Sequence, residues 1–430
     1  MYSIKRDQLK YLSFSSICLI LLLLFSTCSV YSPTANESKS DSSEPVSIED
    51  GTILKDDVVD LNYFRSFRQG RLVDSQFLFE VPLEQIQAIG AGFEPFIKYN
   101  VKVYKISYLT KYKGKIIRAS GAVSIPVLPQ GEKASIVVYN HGTKFSEGDI
   151  LPSSGMEIGL IMTATDGFIC FAPDYIGYGD SENIFHPYLI NEASNSTVCD
   201  MIIAGRWFLI QEKIIPRCKL FMYGFSQGGL VTMAAQRFIE NNPFYKHRIK
   251  LTAVATGMGP YDLYDLSVYP VIASETYPVP AYLLFLFIAY NDYYGFGRSL
   301  DDMFKNSYGQ LYLELVGQNL GYYDLLQYFP TSPAELLQDD FRADFLAGST
   351  EFNSVIDSNN SIDGWVPQTP LKIYHSPADE QVPYANAQAA YDSFIAAGAS
   401  SVDLITLPPV DHMTSPLYAI YDIMPWFESF

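Results

Sequence analysis

Residues 224–229 read Gly-Phe-Ser-Gln-Gly-Gly and lie between a strand-like run, 219–223, and a helix-like run, 230–240. A Gly-x-Ser-x-Gly turn bends sharply from strand to helix and strains the backbone of its serine, so small residues must flank that serine. The tight bend exposes the serine hydroxyl. It also directs the first backbone N–H groups of the helix toward any negative charge that develops beside it. The sequence therefore predicts a strand, a sharp turn and a helix, with Ser226 as a candidate nucleophile.

A serine of ordinary pKa needs a base to remove its proton, and that base is most often histidine. In enzymes with this turn the chain order is serine, then aspartate or glutamate, then histidine. His375 and His412 lie in the region where the last strands are expected. His412 is the stronger candidate because it lies on a loop after the strand-like residues 402–407. His186 is expected to be a hydrogen-bonded surface histidine, with contact to a substrate as the alternative.

The acid that orients the base is expected in the loop after the strand 371–374, and Asp379 occupies that loop. Glu380 and Asp411 compete for this role. Asp411 adjoins His412 in sequence, which makes a well-aligned hydrogen bond to the imidazole awkward. Glu380 would point away if Asp379 points in. We therefore predict that Asp379 completes the catalytic triad.

Acyl transfer also needs backbone donors for the oxyanion, and the N–H after the nucleophile, that of Gln227, is the expected first donor. The second should come from an earlier loop. The strand 135–139 runs into Asn-His-Gly-Thr, where glycine lets the backbone approach a substrate oxygen closely. We predict that the N–H of Thr143 is this donor, with Gly142 as the alternative. His141 is expected to be structural, bonded to nearby backbone.

Four segments in this order resemble the α/β-hydrolase superfamily and, more narrowly, its secretory-lipase-like branch. They are Tyr-Asn-His-Gly-Thr at 139–143, Ala-Pro-Asp-Tyr-Ile-Gly-Tyr-Gly-Asp-Ser at 172–181, Tyr-Gly-Phe-Ser-Gln-Gly-Gly at 223–229, and the segment 375–383. Ala-Ser-Gly at 119–121 is similar to that branch as well. The resemblance covers residues 100–430. It implies hydrolysis of carboxylic esters, often of acyl chains, without a cofactor.

Strand-like and helix-like runs alternate after residue 100, which predicts an α/β fold with a mostly parallel sheet flanked by helices. Two alternating runs around Lys113 predict an antiparallel hairpin at the sheet's edge. Strands are predicted near 101–110, 116–125, 135–140, 168–172, 219–224, 250–256, 371–375 and 402–407. Helices are predicted near 154–165, 196–213, 227–241, 384–397 and 414–428.

A long interval interrupts this rhythm after the sixth predicted strand, and we expect residues 261–360 to form a helical cap over the site. The hydrolase core would then consist of residues 61–260 and 361–430. Within the cap, residues 281–290 are apolar all round and too short to span a membrane. This run is expected to be buried against the sheet edge or, alternatively, to face an apolar ligand.

The N-terminus has the layout of a secretory signal peptide, with basic residues before the apolar stretch 11–25. The cleavage region ends in Cys28, which resembles the acylated first residue of a bacterial lipoprotein. We therefore expect a signal peptide at 1–28 and a flexible, polar tether at 29–60. The protein is expected to be exported and anchored to a membrane by its N-terminal lipid, or otherwise secreted.

Lysine and arginine number 29 and aspartate and glutamate 47, so the formal net charge is −18. This charge argues against nucleic acid as a partner, because phosphates need basic patches. No cluster of cysteine, histidine and aspartate has metal-ligand spacing, and the predicted mechanism needs neither a metal nor a cofactor. Cys199 and Cys218 could pair in an oxidising compartment, but nothing in the sequence requires it.

These observations predict a serine hydrolase that cleaves esters with an apolar acyl group. Two alternatives stay open. A serine peptidase of the prolyl or dipeptidyl type shares the triad order, and Glu147, Asp149 and Glu157 could anchor a peptide amino terminus. An inactive hydrolase fold that serves as a surface binding protein is the other alternative, and a complete triad argues against it.

Overall fold

The computed structural model describes residues 69–90, 92–146, 149, 151–154 and 157–430. The predicted signal peptide and tether, with Cys28, lie outside these residues.

The core of the described chain is a nine-stranded sheet with strand order β1-β2-β3-β5-β4-β6-β7-β8-β9. Strands β4 to β9 pair in parallel, whereas β1, β2 and β3 are antiparallel to their neighbours. The strands are Leu72–Val81, Val101–Tyr112, Lys115–Pro126, Ile136–Asn140, Ile169–Pro173, Leu220–Phe225, Ala253–Gly257, Leu371–His375 and Val402–Thr406. The predicted α/β fold with a mostly parallel sheet is confirmed.

Helices cover both faces of this sheet, as parallel strands require. Those outside the interval between β7 and β8 are α1 (Leu83–Ile89), α2 (Ile158–Thr165), α3 (Asn191–Gln211), α4 (Gln227–Asn241), α5 (Pro243–Lys246), α14 (Ala385–Ala396) and α15 (Ser415–Glu428). The central strands β5, β6 and β7 are buried along their whole length, because sheet neighbours and helices surround them. Their sequences are accordingly small or apolar throughout.

The hairpin at Lys113 and Gly114 lies one strand inside the edge, so its predicted edge position is wrong. Both turn residues have positive φ, 46° and 76°, which is the geometry that a two-residue hairpin turn favours. Strand β1 forms the edge instead and pairs antiparallel with β2. Most of its side chains are at least partly exposed, so its sequence lacks a clean alternation of apolar and polar residues. Because β1 was not among the predicted strands, the numbering shifts by one, and the strand predicted as the sixth is β7.

The interval between β7 and β8 is helical, and we call it the inserted region. It begins with a π-helical turn, Tyr264–Val268, and continues with helices α6 to α13. These are α6 (Tyr269–Ala273), α7 (Ala281–Tyr294), α8 (Leu300–Met303), α9 (Tyr308–Gly317), α10 (Tyr322–Leu325), α11 (Pro333–Leu336), α12 (Asp339–Leu346) and α13 (Glu351–Asp357). None of the helices in the described ranges is both long and apolar enough to cross a bilayer.

Helix α7, which carries the apolar run 281–290, is the centre of a hydrophobic cluster built mainly from the inserted region. Phe287 is fully buried and makes edge-to-face contacts with Phe341 and Phe352 at centroid distances of 5.0 and 5.2 Å. The cluster contains no strand residue. The expectation that this run packs against the sheet edge is therefore wrong; it forms the core of the inserted region.

The cysteines whose pairing the sequence left open are both free thiols. Cys199 is buried within α3, whereas Cys218 is exposed before β6. Cys170 is also free and lies buried in β5. These three residues therefore contribute no disulfide to the stability of the described chain.

Candidate active site

The turn at Ser226 has the strained geometry that its sequence predicts. Ser226 has φ 58° and ψ −123°, between the end of β6 and the start of α4. A Cβ atom on Gly228 would lie 2.0 Å from the carbonyl oxygen of Asn140, and one on Gly224 would lie 2.4 Å from that of Gly228. Only glycine fits at these two positions. Among residues 220–236, Ser226 alone is not buried.

The predicted site residues follow strands whose carboxyl ends meet at one edge of the sheet. Ser226 directly follows β6, Asp379 lies in the loop after β8, and His412 lies in the loop after β9. Strands β6 to β9 are neighbours and run parallel, so their following loops all open on the same side. This topology explains how residues far apart in the chain approach one another.

Asp379 and His412 are in direct contact. The Nδ1 atom of His412 lies 2.9 Å from Oδ1 and 2.8 Å from Oδ2 of Asp379, and both side chains are buried. The Oδ1 atom also accepts the backbone N–H groups of Gln381 and Val382 at 3.0 and 2.9 Å. The carboxylate therefore holds the proton of His412 on Nδ1 and leaves Nε2 able to accept one.

The hydrogen bonds to Asp379 also keep it ionised. Burial acts to raise the pKa of this carboxyl, but hydrogen bonds from His375, His412 and the Val382 N–H lower it, and the balance holds the pKa well below its usual range. An ionised carboxylate is what a neighbouring imidazole needs when it becomes a cation.

The two competing acids do not contact the imidazole of His412. Glu380 accepts the backbone N–H of His412 at 3.0 Å. Asp411 accepts the backbone N–H of Thr414 at 2.8 Å. Of the three carboxylates, Asp379 alone bonds to the ring in this structure.

The loop after β4 lies beside the elbow. A Cβ atom on Gly142 would lie 4.0 Å from the Cβ of Ser226. Within the described ranges the backbone N–H of Thr143 has no hydrogen-bond partner, and Gln227 begins α4, where N–H groups lack intrahelical acceptors. The hydroxyl of Thr143 pairs with that of Tyr188 at 3.0 Å. Both expected oxyanion donors are therefore available to a ligand.

Ser226 and His412 are not hydrogen-bonded to each other in this structure. In hydrolases without substrate the bond between nucleophile and base is often long and tightens only when substrate binds. The observed contacts are thus those expected of a candidate base, His412, that its candidate acid, Asp379, already orients.

His141 has the structural role expected of it. It is fully buried, and its ring nitrogens lie 2.7 Å from the carbonyl oxygen of Gly142 and 3.1 Å from that of Asp174. Its ring stacks on Tyr175 at 4.1 Å. Burial, with Lys144 nearby, lowers the pKa of His141 to about 4. These contacts hold the loop that carries Gly142.

His186 is buried rather than exposed, so its predicted surface position is wrong. Its Nδ1 lies 2.6 Å from the carbonyl oxygen of Ile176, and its Nε2 lies 2.8 Å from the side-chain nitrogen of Gln227. The Nδ1–H therefore donates to the carbonyl, while Nε2 accepts from Gln227. Burial lowers the pKa of His186 to about 3 and keeps the ring neutral. His186 thus holds the side chain of a candidate oxyanion residue, a contact that no local sequence pattern indicates.

The acidic residues considered as anchors for a peptide amino terminus are engaged within the protein. Asp149 accepts the backbone N–H groups of Phe145 and Tyr322 at 2.7 and 3.1 Å. Glu157 is buried and pairs with Lys144 at 2.8 Å. Glu147 lies outside the described residues. The described carboxylates therefore stabilise loops instead of forming an open anionic site.

Comparisons with known proteins agree with this geometry. The sequence model of the family described as secretory lipase matches residues 153–429, which is more than half of the chain. Among solved structures, a Legionella pneumophila protein described provisionally as a hydrolase has 26% identity and a TM-score of 0.76, with 84% of this chain and 98% of that chain covered. No match to a curated protein was found.

Two further solved structures extend the likeness. The rice cell wall degrading esterase LipA from Xanthomonas oryzae has 26% identity and a TM-score of 0.71, with 84% of this chain and 96% of that chain covered. Candida antarctica lipase A, at 17% identity and a TM-score of 0.62, shares the fold, with 85% of this chain and 84% of that chain covered. With its partly buried serine at the elbow and its paired histidine and aspartate, the chain belongs to the secretory lipase family and is an ester hydrolase with the α/β-hydrolase fold.

Proposed function

We propose that the protein cleaves carboxylic esters through a covalent acyl-enzyme formed on Ser226. The Nε2 of His412 takes the proton of the serine hydroxyl as Oγ attacks the ester carbonyl. The backbone N–H groups of Gln227 and Thr143 stabilise the oxyanion, with the Gly142 N–H as the alternative second donor. His412 then gives its proton to the leaving alkoxide, and Asp379 stabilises the imidazolium in between. Water, activated by the same base, releases the carboxylic acid.

One observation carries this proposal. The buried bond between Asp379 and His412 orients an imidazole in a loop on the same sheet edge as the strained Ser226, which alone among residues 220–236 is not buried. A structural role for the same three residues would not require Ser226 to be less buried than its neighbours in the chain.

The substrate is an ester with an apolar acyl group, and the inserted region caps the site. Phe285 of α7 stacks on Tyr188 at 4.4 Å, and Tyr188 in turn bonds to Thr143. Tyr282, on the same helix and only partly buried, reaches the side chain of Gln381 at 3.3 Å, next to the loop of the acid. Aromatic side chains of the inserted region therefore reach Gln381 directly and the loop of Thr143 through Tyr188. These contacts favour an apolar binding cleft between the loop of Thr143 and the loop of Asp379.

A panel of p-nitrophenyl esters, tested beside aminoacyl and prolyl anilides, examines this function. We expect the esters to be hydrolysed, with kcat/KM rising about fourfold for each added methylene until the cleft is filled, because a buried methylene contributes about 0.8 kcal/mol. Faster cleavage of the anilides, dependent on a free amino group, would instead identify a peptidase. Binding without turnover by the folded protein would identify an inactive fold.

We also propose that Cys28 carries the lipid that anchors the exported protein. The family is described as secretory, and the apolar stretch 11–25, followed by a cleavage region that ends in Cys28, has the layout of a lipoprotein signal. Several acyl chains hold a protein on a membrane firmly, whereas one chain holds it weakly. The wild-type protein is expected in the membrane fraction with a lipid mass on residue 28, and Cys28→Ser is expected to yield soluble, active enzyme. A soluble wild-type protein that begins downstream of Cys28 would mean simple secretion.

A further inference from the structure

A second imidazole faces the carboxylate of Asp379. His375 ends β8, and its Nε2 lies 2.9 Å from the carbonyl oxygen of Val382 and 3.3 Å from Oδ2 of Asp379. The Nδ1 of His412 lies 2.8 Å from the same carboxylate oxygen. The side chains of His375 and Asp379 are both fully buried. Asp379 therefore interacts with two imidazoles, of which the proposed mechanism uses one.

The contacts of His375 determine its tautomer. Nε2 faces two oxygen atoms that carry no hydrogen, so Nε2 must hold the ring proton. Nδ1 is buried and has no hydrogen-bond partner within the described ranges, so a proton on Nδ1 would be left unsatisfied. The N–H of His375 is accordingly on Nε2, where it donates to the carbonyl oxygen of Val382 and lies 3.3 Å from Oδ2 of Asp379.

We propose that His375 is a positioning residue for ester hydrolysis, which holds the carboxylate of Asp379 through its Nε2–H. This inference rests on the proposed function. By drawing negative charge toward itself, the N–H of His375 also weakens the attraction between Asp379 and protonated His412. Without it, His412 should bind its proton more tightly, and activity should be lost at a higher pH as the solution is acidified.

Four other titratable groups lie around the pair of His375 and Asp379 in addition to His412. Glu380 accepts the backbone N–H of His412 at 3.0 Å, and Tyr384 packs its ring edge on His375 at a centroid distance of 5.8 Å. The other two titratable groups are Asp411, which adjoins His412 in sequence, and Tyr277. The hydroxyl of Tyr277 donates to the backbone carbonyl oxygen of Gln381 at 3.2 Å.

The test compares His375→Phe with His375→Gln. For the phenylalanine variant we expect kcat roughly 10- to 100-fold lower, and the acid limb of kcat/KM moved to higher pH by on the order of half a unit. Glutamine has a side-chain N–H that can reach the oxygens of Val382 and Asp379, so it should restore most of the kcat and most of the wild-type acid limb. Tyr384→Phe is the matched control, since it removes a 2.7 Å hydrogen bond to Thr406 beside the same imidazole. This control should keep the wild-type acid limb.

A folded His375→Phe variant with the wild-type acid limb, or a glutamine variant no better than phenylalanine, would overturn the proposal. A measurement on the wild-type protein does not depend on how the variants fold. In ¹⁵N NMR of the five histidines, His375 should show the Nε2–H tautomer, and an Nδ1–H tautomer would contradict it. If Ser226→Ala or Asp379→Asn keeps full activity, the proposed function fails. If those two variants lose activity but the His375 variants behave like the wild type, only the inference about His375 fails.

Discussion

Replacement of Ser226 by alanine is expected to lower kcat for ester hydrolysis about 10⁶-fold while the fold is retained. The hydroxyl of this partly buried serine is the only part of the strained turn that the substitution removes, and the flanking glycines that shape the turn stay in place. Steady-state kinetics with a p-nitrophenyl ester, together with thermal unfolding, would measure both properties. An organophosphonate should attach a single adduct, at Ser226.

Ser196→Ala is a suitable control for this substitution. Its hydroxyl donates to the carbonyl oxygen of Glu192 at 3.2 Å within α3, so its loss should leave turnover and labelling unchanged. Near-normal turnover by Ser226→Ala, or an adduct at another residue, would show that the nucleophile lies elsewhere.

Replacement of Asp379 by asparagine is expected to lower kcat about 10⁴-fold. The amide group of asparagine can donate to Nδ1 of His412, which would force the ring proton onto Nε2, the atom that must accept the serine proton. The amide also cannot stabilise the imidazolium. Kinetics across pH with a short-chain ester would measure the loss.

Asp411→Asn is the matched control because Asp411 adjoins His412 but accepts a hydrogen bond from Thr414. We expect its turnover to stay within several-fold of wild type. A loss as large as that of Asp379→Asn would indicate that the acid has been misassigned. Equal activity of the Asp379→Asn variant and the wild type would exclude Asp379 from the mechanism.

Elements with a strong local pattern could be predicted almost to the residue. Helix α4 spans Gln227–Asn241 where 227–241 was predicted, and α15 spans Ser415–Glu428 where 414–428 was predicted. The buried parallel strands could be predicted for the same reason, since their short apolar runs are bounded by polar loops. In each case the residues that decide the structure are close together in the chain.

Features that depend on distant partners could not be predicted. Strand β1 is an edge strand with mostly exposed or half-buried side chains, and what defines it is its pairing with β2. The apolar run in α7 has no polar face, so its sequence is compatible with burial against any apolar surface. The partner of His186 lies 41 residues away in the chain, and only the fold brings its ring to Gln227.

The candidate site likewise has features that depend on neighbouring residues in the chain and features that depend on distant ones. The sequence by itself determined the elbow, because the constraint at Ser226 is local: neighbouring backbone leaves no room for a Cβ on Gly224 or Gly228. It also determined the order of the proposed nucleophile, acid and base along the chain. Only the tertiary structure decided which carboxylate contacts His412 and that His375 contacts it too. The physical reason is that hydrogen bonds form over about 3 Å, a distance that loops from separate strands reach only after the sheet has assembled.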